Sequence, residues 1–105
     1  MEGRVEVQHR GSWGTVCGQY WDTDDARVVC RMLGYSMAAE ALKGAAFGRG
    51  KGSIVLRGVG CKGEEESLFD CSHDKKRNCH HGHDAGVRCL SKYDTNKSNI
   101  CNHYF

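Results

Sequence analysis

Trp13-Gly14-Thr15-Val16-Cys17-Gly18-Gln19-Tyr20-Trp21-Asp22-Thr23-Asp24-Asp25-Ala26-Arg27-Val28-Val29-Cys30-Arg31-Met32-Leu33-Gly34 holds a strand signal, a helix signal and two cysteines within 22 residues. Ala26, Val29, Cys30 and Leu33 recur at i, i+3, i+4 and i+7, the spacing of one apolar helical face. Thr23 is placed as the N-cap, Asp24 and Asp25 suit the positive end of the helix dipole, and Gly34 is placed to end the helix at C′. Upstream, Val5 and Val7 alternate with Arg4, Glu6 and Gln8, and the Arg10-Gly11 turn signal lets Trp13–Cys17 return as the second strand of a hairpin. Downstream, the glycine-rich run 43–52 reads as a loop anchored by Phe47. Ile54-Val55-Leu56 reads as a short buried strand, 64–71 as a helical turn presenting Leu68 and Phe69 inward, and 87–90 as a last strand. Trp13 and Trp21 read as core or sheet-packing residues. The polar, aperiodic segment 91–105 reads as a tail or linker.

A chain of 105 residues fits one domain, of α+β class on this reading. With 39% hydrophobic residues and 14 glycines, the core is thin against the backbone entropy it must overcome. The seven cysteines answer that deficit, because each disulfide contributes about 2 to 4 kcal/mol. Structural zinc sites bring ligands in close C-x2-C pairs, whereas Cys17, Cys30, Cys61, Cys71, Cys79, Cys89 and Cys101 are all seven or more residues apart. Bridges, and with them an oxidising extracellular compartment, are the expectation: a secreted protein or the ectodomain of a membrane protein. For six cysteines, sequence alone leaves about fifteen pairings open. No apolar run approaches the roughly 18 residues needed to span a bilayer, so no membrane insertion by this chain is expected. Met1-Glu2-Gly3-Arg4 does not resemble a signal peptide, and the chain reads as a piece of a longer protein.

Taken in order, Gly3-Arg4-Val5-Glu6-Val7, Trp13–Cys17, Trp21-Asp22, Asp25-Ala26, Val28–Gly34, Cys61-Lys62-Gly63, Leu68-Phe69-Asp70-Cys71 and Asp84–Cys89 form a set that resembles the scavenger receptor cysteine-rich (SRCR) family. The resemblance runs from about residue 3 to residue 89 and assigns residues 1–90 to the domain. It implies a small, disulfide-stapled α+β domain in which a curved antiparallel sheet cradles one main helix. It also implies the pairs Cys17–Cys79, Cys30–Cys89 and Cys61–Cys71. Tyr35 stands where one subgroup has a further cysteine and none precedes Cys17, so the chain resembles the six-cysteine, group A type, with Cys101 left over.

Three departures from the family pattern stand out. One strand that usually precedes Gly3 is missing, and the segment between Cys71 and Cys79 is short and lacks the usual Trp-Gly. Many family members also hold calcium through acidic residues at positions that here read Gly18-Gln19, Arg57-Gly58 and His83. Calcium takes six to eight oxygen ligands, so neutral and cationic substitutes imply that this metal site is lost and that the domain uses no cofactor.

The leading site candidate is the basic set Arg49, Lys51, Arg57, Lys62, Lys75, Lys76 and Arg77, because spaced guanidinium and ammonium groups neutralise successive sulfate, phosphate or carboxylate groups. Lys75-Lys76-Arg77 lies between two cysteines, which restrains its loop. A net charge of only +2 equally suits a solvated surface and gives no sign of specific nucleic-acid recognition. His80, His81 and His83, with His73, would make this face more positive as pH falls. Oxidised cysteines remove the thiolate a Cys/His nucleophile needs, and no serine lies in a nucleophile elbow, so an enzyme is not expected. Asn96-Lys97-Ser98 is a glycosylation sequon, and Cys101 is a candidate for a disulfide to another chain. Together these features describe an extracellular module that binds polyanions. The alternatives are a protein–protein adhesion or receptor-assembly module and an accessory domain of a larger secreted enzyme.

Overall fold

A computed structural model of the protein describes residues 1–35, 39–74 and 78–90, together with the backbone of 103–104. Strand β1 (Glu2–His9) turns through Arg10 and Gly11 into β2 (Ser12–Val16) with His9 opposite Ser12 and Glu6 opposite Thr15. Both turn residues have positive φ, 51° and 81°, as a two-residue hairpin turn that matches the strand twist demands. Val5 and Val7 are fully buried while Arg4 and Glu6 face the other way, so the alternation read in the sequence is the alternation of the sheet faces.

Helix α1 (Thr23–Met32) starts one residue earlier than the sequence suggested, because its N-cap is Asp22 rather than Thr23. The Asp22 carboxylate accepts from the Asp25 N–H at 3.0 Å and the Asp25 carboxylate accepts from the Asp22 N–H at 2.8 Å, a reciprocal pair Thr23 cannot make because Ala26 stands three residues after it. At the other end Gly34 takes φ 87°, its N–H donates to Arg31, and the Tyr35 N–H donates to the Cys30 carbonyl, so the last carbonyls of the helix are satisfied. Ala26, Val28, Val29 and Cys30 form the buried face.

Strands β3 (Ala39–Leu42), β4 (Ser53–Leu56) and β5 (Gly86–Cys89) complete a sheet in the order β3-β5-β1-β2-β4. A two-residue strand β6 (His103–Tyr104) pairs in parallel with Val5 and Glu6 of β1. β1 pairs with β5 through residues 2–4 and with β2 through residues 6–9, exchanging neighbours along its length. The sheet is mostly antiparallel, but β4 runs parallel to β2 at one edge, with an irregular step between Thr15 and Val16. The segment 64–71 holds a single 3₁₀ turn (Leu68–Asp70) that buries Leu68 completely and leaves Phe69 half-buried.

The core gathers Val5, Val7, Val16, Trp21, Val29, Leu68 and Val87 between sheet and helix. Trp21 has no exposed surface, and its indole N–H donates to the Gly86 carbonyl at 3.0 Å. Trp13 instead projects outward and is 40% exposed, contrary to the packing role expected of it, because its place in β2 lies on the face opposite the core. Three disulfides, Cys17–Cys79, Cys30–Cys89 and Cys61–Cys71, close sequence separations of 62, 59 and 10 residues. The second joins α1 to β5, the central packing of the domain.

Candidate ligand-binding surface

The loop 43–52 begins where β3 ends and lies over the start of β5. Phe47 supports it: the ring sits against Gly86, where an added Cβ would come within 2.6 Å of it. Asp84, fully buried, holds the loop from below. Its carboxylate accepts from the Gly50 N–H at 2.7 Å and its carbonyl accepts from the Ala45 N–H at 3.1 Å. Arg4 reaches across from β1, pairs with Glu6 at 2.6 Å and approaches the Phe47 and Gly48 carbonyls. Arg49 and Lys51 of this loop therefore project from a backbone fixed at several points.

His81 completes the fastening. It belongs to a 3₁₀ turn (His81–His83), with Nδ1 2.9 Å from an Asp84 carboxylate oxygen and Nε2 2.9 Å from the Gly52 carbonyl. The Gly52 carbonyl, and then the hydrogen bond and charge of Asp84, raise the His81 pKa above its ordinary value, against desolvation and the nearby charge of Arg4.

Above this framework is an open depression of about 430 Å³ lined by Arg4, Glu6, Trp13, Arg49, Gly50 and Lys51. Three cations face one carboxylate, and neither Arg49 nor Lys51 has an ion-pair partner among the described residues. Such a surface can hold an anion without first breaking an internal pair at these two side chains. Arg4 was not among the basic residues singled out from sequence. The signal was present in the strand alternation, which puts Arg4 and Glu6 on the outer face of β1.

The remaining basic residues are distributed elsewhere. Arg57 lines a separate depression with Arg10, Phe69 and His73, and Lys62 lies beside Glu64, Glu65 and Asp70 in acidic company. Lys75, Lys76 and Arg77 lie outside the described residues, as do Asn96 and Cys101. The structure thus brings Arg49 and Lys51 together with Arg4, and places neither Arg57 nor Lys62 in that depression.

At the positions where family resemblance would place calcium ligands, the Gly18 N–H donates to the His83 carbonyl and the Cys17 N–H to the Leu56 carbonyl, which draws the three segments together. They present Gln19, Arg57 and His83 with no carboxylate among them. This donor set does not fit calcium. Among the described residues, Cys61, Glu65 and Cys71 lie close enough to share a metal ion. Both sulfurs are joined in a disulfide, however, and Glu65 already accepts from the N–H groups of Lys62, Gly63 and Glu64. The Lys62 N–H is the main cause holding the Glu65 carboxyl below its ordinary pKa. The His80 and His83 rings lie 4.4 Å apart, but His80 Nδ1 accepts from the Gly82 N–H and so is occupied.

Residues 1–90 match the profile of the scavenger receptor cysteine-rich domain. The chain is 53% identical over 93 residues to galectin-3-binding protein of Pongo abelii, covering 87% of this chain and 16% of that protein. It is 51% identical over 94 residues to human lysyl oxidase homolog 3, covering 88% of this chain and 12% of that one. The chain therefore spans less than a fifth of these curated relatives, and the match to lysyl oxidase homologs covers their SRCR part alone. Among solved structures, the third SRCR domain of murine neurotrypsin superposes with TM-score 0.80 at 48% identity, covering 84% of both chains. The dimeric form of the SRCR domain of mouse MARCO gives TM-score 0.78 at 48% identity, covering 86% of this chain and 87% of that one. SRCR domains occur in secreted proteins and receptor ectodomains, and the compartment implied by the three disulfides is the same extracellular one. The protein is a member of the scavenger receptor cysteine-rich domain family.

Proposed function

We propose that this domain is a non-catalytic extracellular recognition module that binds polyanionic ligands without calcium. The observation that carries this reading is the depression floored by a fastened loop, where Arg49 and Lys51 lack internal ion-pair partners and stand beside Arg4. Fixed cations bind a chain of anionic groups with less entropy loss than mobile ones, and the attraction is electrostatic, so it falls steeply with salt. Lys75, Lys76 and Arg77 add charge to the same ligand class in this reading, and glycosylation at Asn96 and an intermolecular bridge through Cys101 belong to the flanking segment. The chain is of the six-cysteine, group A type, in keeping with three bridges and Tyr35 in place of a further cysteine.

Binding to immobilised heparin over a salt series tests this reading. The expected result is salt-sensitive retention that chelator does not change, reduced at least tenfold in the Arg49→Ala/Lys51→Ala double variant. Retention that requires calcium would overturn the metal-independent site, and no retention at low salt would overturn polyanion binding itself. A second reading, a module for assembly with other proteins, draws support from the name of the galectin-3-binding relatives.

A further inference from the structure

Arg57 directly follows β4, and its Nε is shut off from solvent with no hydrogen-bond partner. A guanidinium keeps its proton under all ordinary conditions and offers five N–H donors, so an unsatisfied buried one carries a desolvation penalty that a partner would remove. No described residue supplies that partner.

The guanidinium lines a depression of about 380 Å³, separate from the one above Arg49 and sharing no residue with it. Three segments converge there: the β1–β2 turn with His9 and Arg10, the end of β4, and the stretch that follows Cys71. The arrangement is firmly held. The Asp74 N–H donates to the Arg57 carbonyl at 2.7 Å, the Gly60 N–H and Ser72 carbonyl pair at 2.8 Å, and the Cys61–Cys71 disulfide closes the segment behind them. One wall is apolar, formed by Val55, Leu56 and Phe69, with the His9 ring stacked on Phe69 at 6.0 Å. His73 holds Nδ1 3.1 Å from the Cys71 carbonyl, which makes Nδ1 the donor. Asp74 is the single carboxylate of this lining, against Arg10, Arg57 and two histidines.

We propose that this depression is a carboxylate pocket that receives an acidic side chain of an extracellular protein partner, with Arg57 as its anchor. A planar guanidinium matches a carboxylate with two parallel N–H···O bonds, and a turn of the Arg57 side chain about its outer torsions would bring the enclosed Nε–H to an entering carboxylate. The apolar wall fits the methylene arm of a glutamate, whereas a sulfated sugar would set hydroxyls against Val55, Leu56 and Phe69. The pocket does not depend on polyanion binding at Arg49 and Lys51, and either reading can fail while the other stands.

The test is a ¹⁵N NMR titration of the oxidised 105-residue chain with the peptide Ac-Leu-Glu-Leu-NH₂, its glutamine counterpart, glucuronate and inorganic sulfate. The glutamate peptide is expected to move the Arg57 Nε–H signal and the Phe69 and Asp74 amides along a saturating curve. The glutamine peptide, glucuronate and sulfate should bind at least tenfold more weakly. Arg57→Met should abolish the shifts, Arg10→Ala should weaken binding severalfold, and Arg49→Ala should leave it unchanged. Equal binding of the glutamine peptide, shifts at Arg49 in place of Arg57, or no saturable shift at all would overturn the proposal. Sulfate binding as strongly as the glutamate peptide would likewise overturn it, in favour of a general anion subsite. Should Arg57→Met lose the folded spectrum, the wild-type Nε–H signal and the Arg10→Ala variant decide.

Discussion

His81 touches Asp84 through Nδ1 at 2.9 Å while its other nitrogen, Nε2, meets the Gly52 carbonyl at 2.9 Å, so both ring nitrogens face acceptors. Only the imidazolium can donate to both. Its folded pKa is raised above 6.5, first by the Gly52 carbonyl and then by Asp84. The resulting stabilisation is complete below the unfolded value and is lost as pH rises through the folded one. Urea unfolding should therefore show the midpoint falling as pH is raised from about 6 through the neutral range. His81→Gln, which cannot gain the charge, should be less stable at pH 6 and should lose that part of the pH dependence. The Arg49 loop is tied down by the same bonds, so heparin retention should weaken over the same interval in the wild type and less steeply in the variant.

Asp25 behaves in the same direction over a lower range. Burial pushes its carboxyl up to about 7, against the opposing donors of Cys61 and Asp22. A carboxyl with a raised folded pKa binds its proton more tightly in the native state, so stability falls as pH climbs from about 4 to about 7. Asp25→Asn should flatten that slope in a pH series of unfolding curves. It should also lower stability at pH 5, because an amide offers one acceptor oxygen where Asp25 uses two, toward Cys61 and Asp22.

The disulfides should rank by the span they close. In the chain-entropy picture, removing Cys30–Cys89, with separation 59, costs roughly 4 kcal/mol and removing Cys61–Cys71, with separation 10, roughly 3 kcal/mol. Paired alanine substitutions compared by thermal unfolding test the ordering. Both variants lose more than the entropic share, because all four cysteines also belong to the buried core.

Gly86→Ala should be more damaging than its size suggests. A methyl there meets the Phe47 ring at 2.6 Å and the Gly3 carbonyl at 3.1 Å, and the first contact also props up the Arg49 loop. Overpacking of this kind costs about 1 to 3 kcal/mol. Heparin affinity should fall along with the melting temperature, whereas a purely structural lesion remote from the loop would lower the melting temperature alone.

Where local chemistry dictates geometry, the sequence was readable. The Arg10-Gly11 turn, the Val5/Val7 alternation and Gly34 at the end of α1 each follow from backbone rules that act within a few residues. The helix start moved to Asp22 because reciprocity with Asp25 is visible only once both carboxylates are placed. β3 went unread because Ala39-Glu40-Ala41-Leu42 has little strand propensity and is held by pairing with distant β5. The parallel course of β4 and the exposure of Trp13 depend likewise on tertiary arrangement. For the candidate site, composition identified Arg49 and Lys51 but could not sort them from Arg57 and Lys62, which the fold sets in different depressions. Arg4, 45 positions before Arg49, joins them only through the curl of β1 against β5.

The two long bridges, Cys17–Cys79 and Cys30–Cys89, both pass over the loop 43–52 in sequence. A protease that cuts the chain between Lys43 and Lys51 therefore releases no fragment: the pieces on either side stay joined by covalent bonds until a reductant reaches them. Such a nick would cut the cationic loop open while the molecule gains no more than the mass of one water. Electrophoresis would show the cut only after reduction of the two bridges.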